Sequence, residues 1–390
     1  MHILLIHNYY TQHGGEDVVF ESEKLLLERY GHKVITFTED NAKLSKVNPL
    51  KIAVNAVWSR EAQRKILKLI EEKKPNVVHF HNTFLRISPA AYYVVKKKGI
   101  PVVQTLHNYR VICPGSLLMR NGHVCENCLK KRVPWPGVIH GCWRNSKAGT
   151  ALVVVMLVVH RLLRTWTEQV DVYITPTEFV RRKFIEGGLP AEKIVVKPNF
   201  VYPDPGIGEH KENFALFVGR LSAEKGVRTL LSAWRLLKDI PLKIVGNGPL
   251  MTEVKERVER ERFAVEVLGW RTREEVLALM RNASFLLFPS EWYETFGMTI
   301  IEAFACGLPV IASKLGAMAE IIEDGRTGLL FEPKNPEDLA AKVEWLLSHP
   351  QELAWMSKEA RAEYEAKYTA ERNYEMLMAI YHRVLGRQEG

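Results

Sequence analysis

Short apolar runs alternate with amphipathic stretches through the first half of the chain. Runs at residues 3–7, 33–37, 76–80, 102–106, 172–175 and 194–196 have strand length. Paired valines such as Val77-Val78 and Val102-Val103 suit strands buried on both faces. Between them, apolar positions at 18, 19, 25, 26 and 27 predict a helix over 18–29, and a second is expected over 61–72. The pattern restarts after a Pro/Gly-rich stretch at 198–208, with strands expected at 214–218, 242–245, 265–268, 285–288 and 310–312. Strand–helix alternation argues for parallel sheets covered on both sides. The expected fold class is therefore α/β, as two doubly wound, Rossmann-like domains facing a cleft. Their bounds are 1–198 and 199–369, and a last helix, 370–386, is expected to pack back on the first domain. Ligands of such sheets bind outside the carboxyl ends of the strands. Residues 108–148 show neither a helical nor a strand period; loops of that length tend to be functional or disordered.

A chain of 390 residues is too long for one ordinary core, which agrees with two domains. Residues 3–6 turn apolar directly after His2, without a basic leader region or a cleavage site, and read as a first strand. The apolar run at 151–159 is too short to span a bilayer. A cytoplasmic protein, at most peripheral on the inner face of the plasma membrane, is the expectation. The net charge of +9 divides unevenly: residues 1–198 carry 30 basic and 16 acidic side chains, residues 199–390 carry 24 and 29. Residues 73–167 hold 15 basic residues and one acidic residue, Glu126. A stretch of one sign implies an acidic partner: nucleic acid, anionic lipid or a phosphorylated acceptor.

The sharpest chemical signal lies in the second domain. Its first strand runs into Gly219-Arg220-Leu221-Ser222-Ala223-Glu224-Lys225-Gly226. Glycines there would let a ligand approach the backbone, and Arg220 and Lys225 could grip a diphosphate, one as a fork and one as a point charge. Asn247, in Gly246-Asn247-Gly248-Pro249, and Trp270, in Gly269-Trp270-Arg271, follow the next two strands, the indole offering a surface to a planar base. The fourth strand leads into Pro289-Ser290-Glu291-Trp292-Tyr293-Glu294-Thr295-Phe296-Gly297-Met298-Thr299 and a helix over 297–305. The free amides at Gly297, Met298 and Thr299 form an anion site. Glu294 ahead of the helix suits a sugar hydroxyl. Glu302, among the apolar Ile300, Ile301, Ala303 and Phe304, suits the two hydroxyls of a ribose, since a carboxylate in such a stretch needs partners.

The order Gly-Arg-x4-Lys-Gly, Gly-x-Gly-Pro and Glu294-x7-Glu302, followed by Cys306-Gly307-Leu308-Pro309-Val310, resembles the family 4 retaining glycosyltransferases of the GT-B fold, of the type that builds bacterial cell-surface polysaccharide. The likeness spans nearly the whole chain. It implies that Gly14 and Gly15, after the first strand, face the donor phosphates and that His107 lies near the donor sugar. It implies Arg220 and Lys225 on the leaving diphosphate, and Glu294 with the Gly297–Thr299 backbone on sugar and phosphate. Glu302 would hold the ribose, and Asn247 and Trp270 would lie near the base. The donor would be a UDP-, GDP- or ADP-sugar and the acceptor acidic or lipid-linked. Catalysis would need no cofactor or cation; no Asp-x-Asp motif is present.

Rival readings are a nucleotide-sugar epimerase or phosphorylase of the same fold, and a dinucleotide oxidoreductase, for which residues 8–15 lack Gly-x-Gly-x-x-Gly. A nucleic-acid-binding role for the basic segment is also weighed; few aromatics interleave its charges, and no nucleic acid partner is expected. His79 and His81, on either side of Phe80, are expected on opposite faces of a strand, as neutral hydrogen-bonding histidines rather than metal ligands. Cys113, Cys125, Cys128 and Cys142, spaced x11, x2 and x13, offer one chelating Cys-x-x-Cys pair with two flanking thiols, the pattern of a structural zinc site. Reduced thiols or an iron–sulfur cluster are the alternatives.

Overall fold

The computed structural model describes residues 1–390 apart from 12–13, 47, 209–211, 238 and 387–390. The chain forms two compact units. One comprises residues 1–118, 125–198 and 373–390; the other comprises 119–124 and 199–372.

In the first unit six parallel strands are β1 (His2–Tyr9), β2 (Lys33–Asp40), β3 (Val77–Phe80), β4 (Val102–Thr105), β7 (Val172–Thr175) and β8 (Ile194–Val196). A hairpin, β5 (Met119–Arg120) and β6 (His123–Val124), lies between β4 and β7 in the chain and groups with the second unit. The sheet order is β2-β1-β3-β4-β7-β8, so the strand order reverses between β1 and β3. Ile3 and Leu5 of β1 pack with Phe20 and Leu27 of the helix Gly15–Arg29 and with Leu377, Ile380, Tyr381 and Val384 of the helix Ala370–Gly386. The last helix therefore completes the core of the first unit. Leu4 and Ile6, on the other face, are equally buried.

The second unit holds β9 (Ala215–Val218), β10 (Leu242–Val245), β11 (Val265–Gly269), β12 (Phe285–Phe288), β13 (Val310–Ser313) and β14 (Gly328–Phe331), all parallel in the order β11-β10-β9-β12-β13-β14. Alternation along each strand feeds two cores. Leu216 and Leu286 face Ile300, Ile301 and Phe304, while Phe217 and Leu287 face Leu230, Leu231 and Trp234. Both units are thus doubly wound, as the periodicity implied.

Residues 108–148 are more structured than their pattern predicts. Asn121 and Gly122 both have positive φ, 49° and 75°. That is the two-residue turn an Asn-Gly pair favours in a hairpin. A five-residue helix, Trp135–Ile139, follows. Two-residue strands leave too little alternation to register as a period.

Candidate active site

The strand order of the second unit reverses between β9 and β12, and Arg220, Lys225, Glu294 and residues 297–299 lie on the segments that follow those two strands. Gly226 has φ +69°, and a Cβ there would stand 1.8 Å from the Pro289 carbonyl oxygen of the loop after β12. A Cβ on Gly246 would stand 1.9 Å from Gly219 O, and one on Gly248 2.4 Å from Leu221 O. These glycines were expected to make room for a ligand. They also let three neighbouring loops touch backbone to backbone, which sets the positions of Arg220 and Lys225.

Lys225 and Glu294 meet directly: Nζ lies 2.6 Å from Oε1, with the two side chains 25% and 9% exposed. The Ser290 hydroxyl donates to the same carboxylate oxygen at 2.6 Å. The Lys225 ammonium also lies 5.6 Å and 5.7 Å from the ring centroids of Phe288 and Trp292. Arg220 is exposed on the same loop. The helix Met298–Ala305 begins at Gly297 with no side-chain cap, so the amides of Met298 and Thr299 stand open at its start. Trp292 Nε1 is buried without a hydrogen-bond partner among the described residues.

Glu302 is held by a residue the sequence did not single out. Arg273 Nε donates to Glu302 Oε1 at 3.3 Å, and its Nη1 donates to the Tyr202 carbonyl at 2.9 Å. Burial raises the Glu302 pKa and Arg273 draws it back. Asn247 is exposed, and its Oδ1 accepts the Gly248 amide at 2.7 Å, closing its own turn. Trp270 is 69% exposed at the end of the edge strand β11, two strands from the reversal.

In the first unit the loops after β1, β3 and β4 carry a polar cluster. Gly14 begins the helix Gly15–Arg29 in an extended conformation, and a Cβ there would meet nothing within 4 Å. Its amide donates to Asp17 Oδ2 at 2.9 Å, and His7 Nε2 lies 2.7 Å from Asp17 Oδ1. Gly15 is the first helical residue. Asn82 and Asn108 donate to the two carboxylate oxygens of Glu16 at 2.9 Å and 3.1 Å. Burial, then the neighbouring Asp17, raises the Glu16 pKa to about 8. His107 Nε2 lies 3.0 Å from His81 Nδ1.

His79 and His81 correct an expectation. Residues two apart on a strand share a face, because the side-chain period is two. Their rings lie 4.5 Å apart and both approach Glu23 Oε1, at 3.0 Å and 3.3 Å. Lys197 Nζ lies 3.1 Å from Glu23 Oε2. Burial opposes ionisation of Glu23, but Lys197 and the two imidazoles outweigh it and hold the carboxyl well below its usual range. Burial, then His79, pushes His81 down to about 3; burial, then His81, holds His107 well below 6.5. His81 and His107 are therefore neutral at physiological pH. Glu23, His79 and His81 place three ligand atoms within 4.8 Å of one another, as do His7, Glu16 and Asp17. In the first group Lys197 already supplies the cation and His79 Nε2 is bonded to the Thr105 hydroxyl at 2.8 Å. Both groups read as hydrogen-bond networks. Glu23 left a trace in the sequence: it occupies the apolar stripe formed by Val19, Phe20, Leu26 and Leu27.

A cavity of ≈ 50 Å³ beside His107 is lined by His81, Asn82, Phe84, Asn108 and Arg110, among others. The Arg110 guanidinium lies 4.4 Å over the Phe84 ring. The four clustered cysteines, none in a disulfide, belong to the segment that follows. They are not among the described groups with three ligand atoms within 4.8 Å. Burial, then Cys113, with smaller contributions from Cys142 and Cys125, pushes the Cys128 thiol up to about 11.

Residues 27–199 match the family described as the glycosyl transferase 4-like domain, and residues 205–363 match glycosyl transferases group 1. An uncharacterised glycosyltransferase of Methanocaldococcus jannaschii is 30% identical over 283 residues, 72% of this chain and 74% of that protein. A glycosyltransferase from Rickettsia africae has a similar structure, with a TM-score of 0.70 at 18% identity over 98% of both chains. Anabaena HepE, solved in complex with UDP and glucose, gives a TM-score of 0.67 at 18% identity over 97% of this chain and 98% of that one. With its two doubly wound units and a family match on each, the chain belongs to the glycosyltransferases of the GT-B fold, joining a glycosyl transferase 4-like domain to a group 1 domain.

Proposed function

We propose that this glycosyltransferase moves a sugar, with retention, from a nucleoside-diphosphate donor to an acidic or lipid-linked acceptor at the cytosolic face of the membrane. The observation that carries the donor half is the Lys225–Glu294 pair beside the open helix start at Met298, with Arg220 on the same loop. Arg220, Lys225 and the Met298 and Thr299 amides offset the charge that builds on the departing diphosphate. Glu294 holds Lys225 in place and faces a sugar hydroxyl. Glu302, oriented by Arg273, takes the ribose. The leaving phosphate accepts the acceptor proton on the face it departs from, so no separate base or metal is required. Neutral His107, in the first unit, is assigned by the family resemblance to hydrogen bonding rather than to acid–base work. Glycosyl transfer, supported by both domain matches, is favoured over the epimerase reading.

The acceptor half rests on the surface of the first unit. Lys130, Lys131, Arg132, Arg161 and Arg164 line a hollow of ≈ 370 Å³ whose single acidic lining residue is Glu186, itself paired with Lys183. In the same stretch of sequence Val133, Trp135, Ile139, Val155, Leu162 and Leu163 are exposed, Leu162 to 78%. The helix Lys147–Leu162 buries Val153, Val154, Met156 and Leu157, so it belongs to the core on one side. The helix Pro49–Val57, with Leu50 and Val54 exposed, packs against it. Cations beside exposed aliphatic and indole side chains suit an anionic lipid surface. No described helix is long and apolar enough to cross a membrane.

A thermal-shift series with UDP-, GDP- and ADP-sugars tests the donor, because a bound ligand stabilises the fold by mass action. One base is expected to raise Tm with a saturable dose dependence. Failure of all three at millimolar concentration would remove the donor assignment.

A further inference from the structure

We propose that Cys113, Cys125, Cys128 and Cys142 bind one structural zinc ion as a closed tetrathiolate site. The four residues, all within the first unit, come from three separate turns, and Cys128 Sγ lies 3.7 Å from the Pro134 carbonyl oxygen at the start of the helix Trp135–Ile139, on which the other two turns dock. Gly115 separates two of them: a Cβ at that position would lie 3.8 Å from Cys113 Sγ, 3.4 Å from Cys142 Cβ and 3.3 Å from the Cys142 carbonyl oxygen. Gly137, on the helix Trp135–Ile139, packs against Pro114, to which its Cβ would come within 3.0 Å. Its carbonyl accepts the Cys142 amide at 3.0 Å, so the turns carrying Cys113 and Cys142 are docked on the same short helix. Cys125 and Cys128 follow β6 on the turn where the Leu129 amide donates to the Glu126 carbonyl at 2.9 Å. Cys113 and Cys128 are buried.

Four sulfurs on one zinc stand about 2.3 Å from the metal and so about 3.8 Å apart. No three of the thiols stand within 4.8 Å of one another among the described residues, so binding the metal must draw them together. Binding releases four protons and leaves a net charge of −2. Lys130, Lys131, Arg132, Arg144 and Arg161, on and beside the segment, supply compensating charge; Arg161 donates to the Lys131 and Arg132 carbonyls at 2.7 Å and 3.0 Å. Four soft thiolates select zinc among the common closed structural metals. They leave no coordination position for a substrate.

The segment needs such an anchor. Its regular structure amounts to a hairpin of two-residue strands and a five-residue helix. Yet it fixes groups beside His107. The Arg110 guanidinium donates to the Pro114 carbonyl and, at 3.1 Å, to the Ser116 hydroxyl, both on the turn after Cys113. Trp143, next to Cys142, meets Phe84 edge-on at 5.7 Å, and Arg110 lies over the same ring. The metal would thus hold Arg110 and Phe84 at the cavity beside His107.

Metal analysis of full-length protein purified without a histidine tag and under reducing conditions tests the site. About one zinc per chain is expected, released in step with mercurial titration of four thiols, and lost in Cys125→Ser and Cys128→Ser. Cobalt substitution should give the visible bands and sulfur-to-metal charge transfer of tetrahedral thiolate coordination. Zinc and iron below about a tenth of an equivalent, with the four thiols reacting freely in native wild-type protein, would overturn the proposal. So would stoichiometric iron with cluster absorption, or a disulfide among the four in anaerobically prepared protein. None of these readouts depends on glycosyl transfer, so the zinc site and the proposed function fail separately.

Discussion

At the scale of single residues, the proposed donor face turns on a cation held by a carboxylate. Lys225 sits 2.6 Å from Glu294 in a partly dry setting, where removing one partner leaves the other exposed to a desolvation cost. Arg220→Ala and Lys225→Met are expected to lower kcat by about 10²-fold, the scale found when one stabiliser of developing charge is removed. Lys225→Met should also lower Tm. Adding Glu294→Gln to it should restore Tm without restoring turnover, which separates catalysis from stability. Steady-state kinetics beside thermal melts decide this; full activity in both single variants would refute the assignment. Glu16 offers a second test. Its folded pKa, about 8, lies above the ordinary 4.5, so the folded state binds the extra proton. Its contribution to stability is full below pH 4.5 and declines as pH rises through 8. Wild type should therefore lose Tm over this window more steeply than Glu16→Gln, and parallel curves would contradict the raised pKa.

At the scale of elements, the glycine turns of the second unit are packing devices. Gly226 combines φ +69° with a 1.8 Å approach to Pro289 O, so a methyl group there forces the loops after β9 and β12 apart. Gly226→Ala is expected to destabilise by about 1–3 kcal/mol for backbone strain, and more for the clash. It should also weaken donor binding, because Arg220 and Lys225 ride on that loop. Gly14→Ala makes a useful contrast: its backbone is extended and its Cβ meets nothing, so it should cost no more than about 1 kcal/mol, the scale of a poorer N-cap. Urea unfolding of the two variants measures both.

At the scale of the whole molecule, the charge asymmetry read from the sequence becomes a surface. The basic hollow of the first unit and the exposed Trp135, Ile139, Leu162 and Leu163 are expected to draw the protein to anionic vesicles. Each cation near such a surface contributes about 1 kcal/mol. Changing Lys130, Lys131 and Arg132 to Ser together should cut sedimentation with anionic vesicles by more than about tenfold at low salt, with neutral vesicles unaffected. Equal, salt-independent partitioning of wild type would defeat the electrostatic membrane face.

The sequence alone specified the two doubly wound units, because strands buried on both sides carry uninterrupted apolar runs and covering helices carry a 3.6-residue stripe. It also marked the loops on which the proposed donor site lies, since glycines and cations clustered at strand ends are local features. The hairpin at Asn121-Gly122 was missed because two-residue strands have no period to detect, although its turn pair was in view. What only tertiary structure decided were the pairings. Arg273 reaches Glu302 across 29 residues, Lys197 reaches Glu23 across 174, and Tyr381 closes on His79 across 302. No window of sequence contains both partners, and a buried charge finds its counter-ion only once the sheet order has brought distant strand ends together.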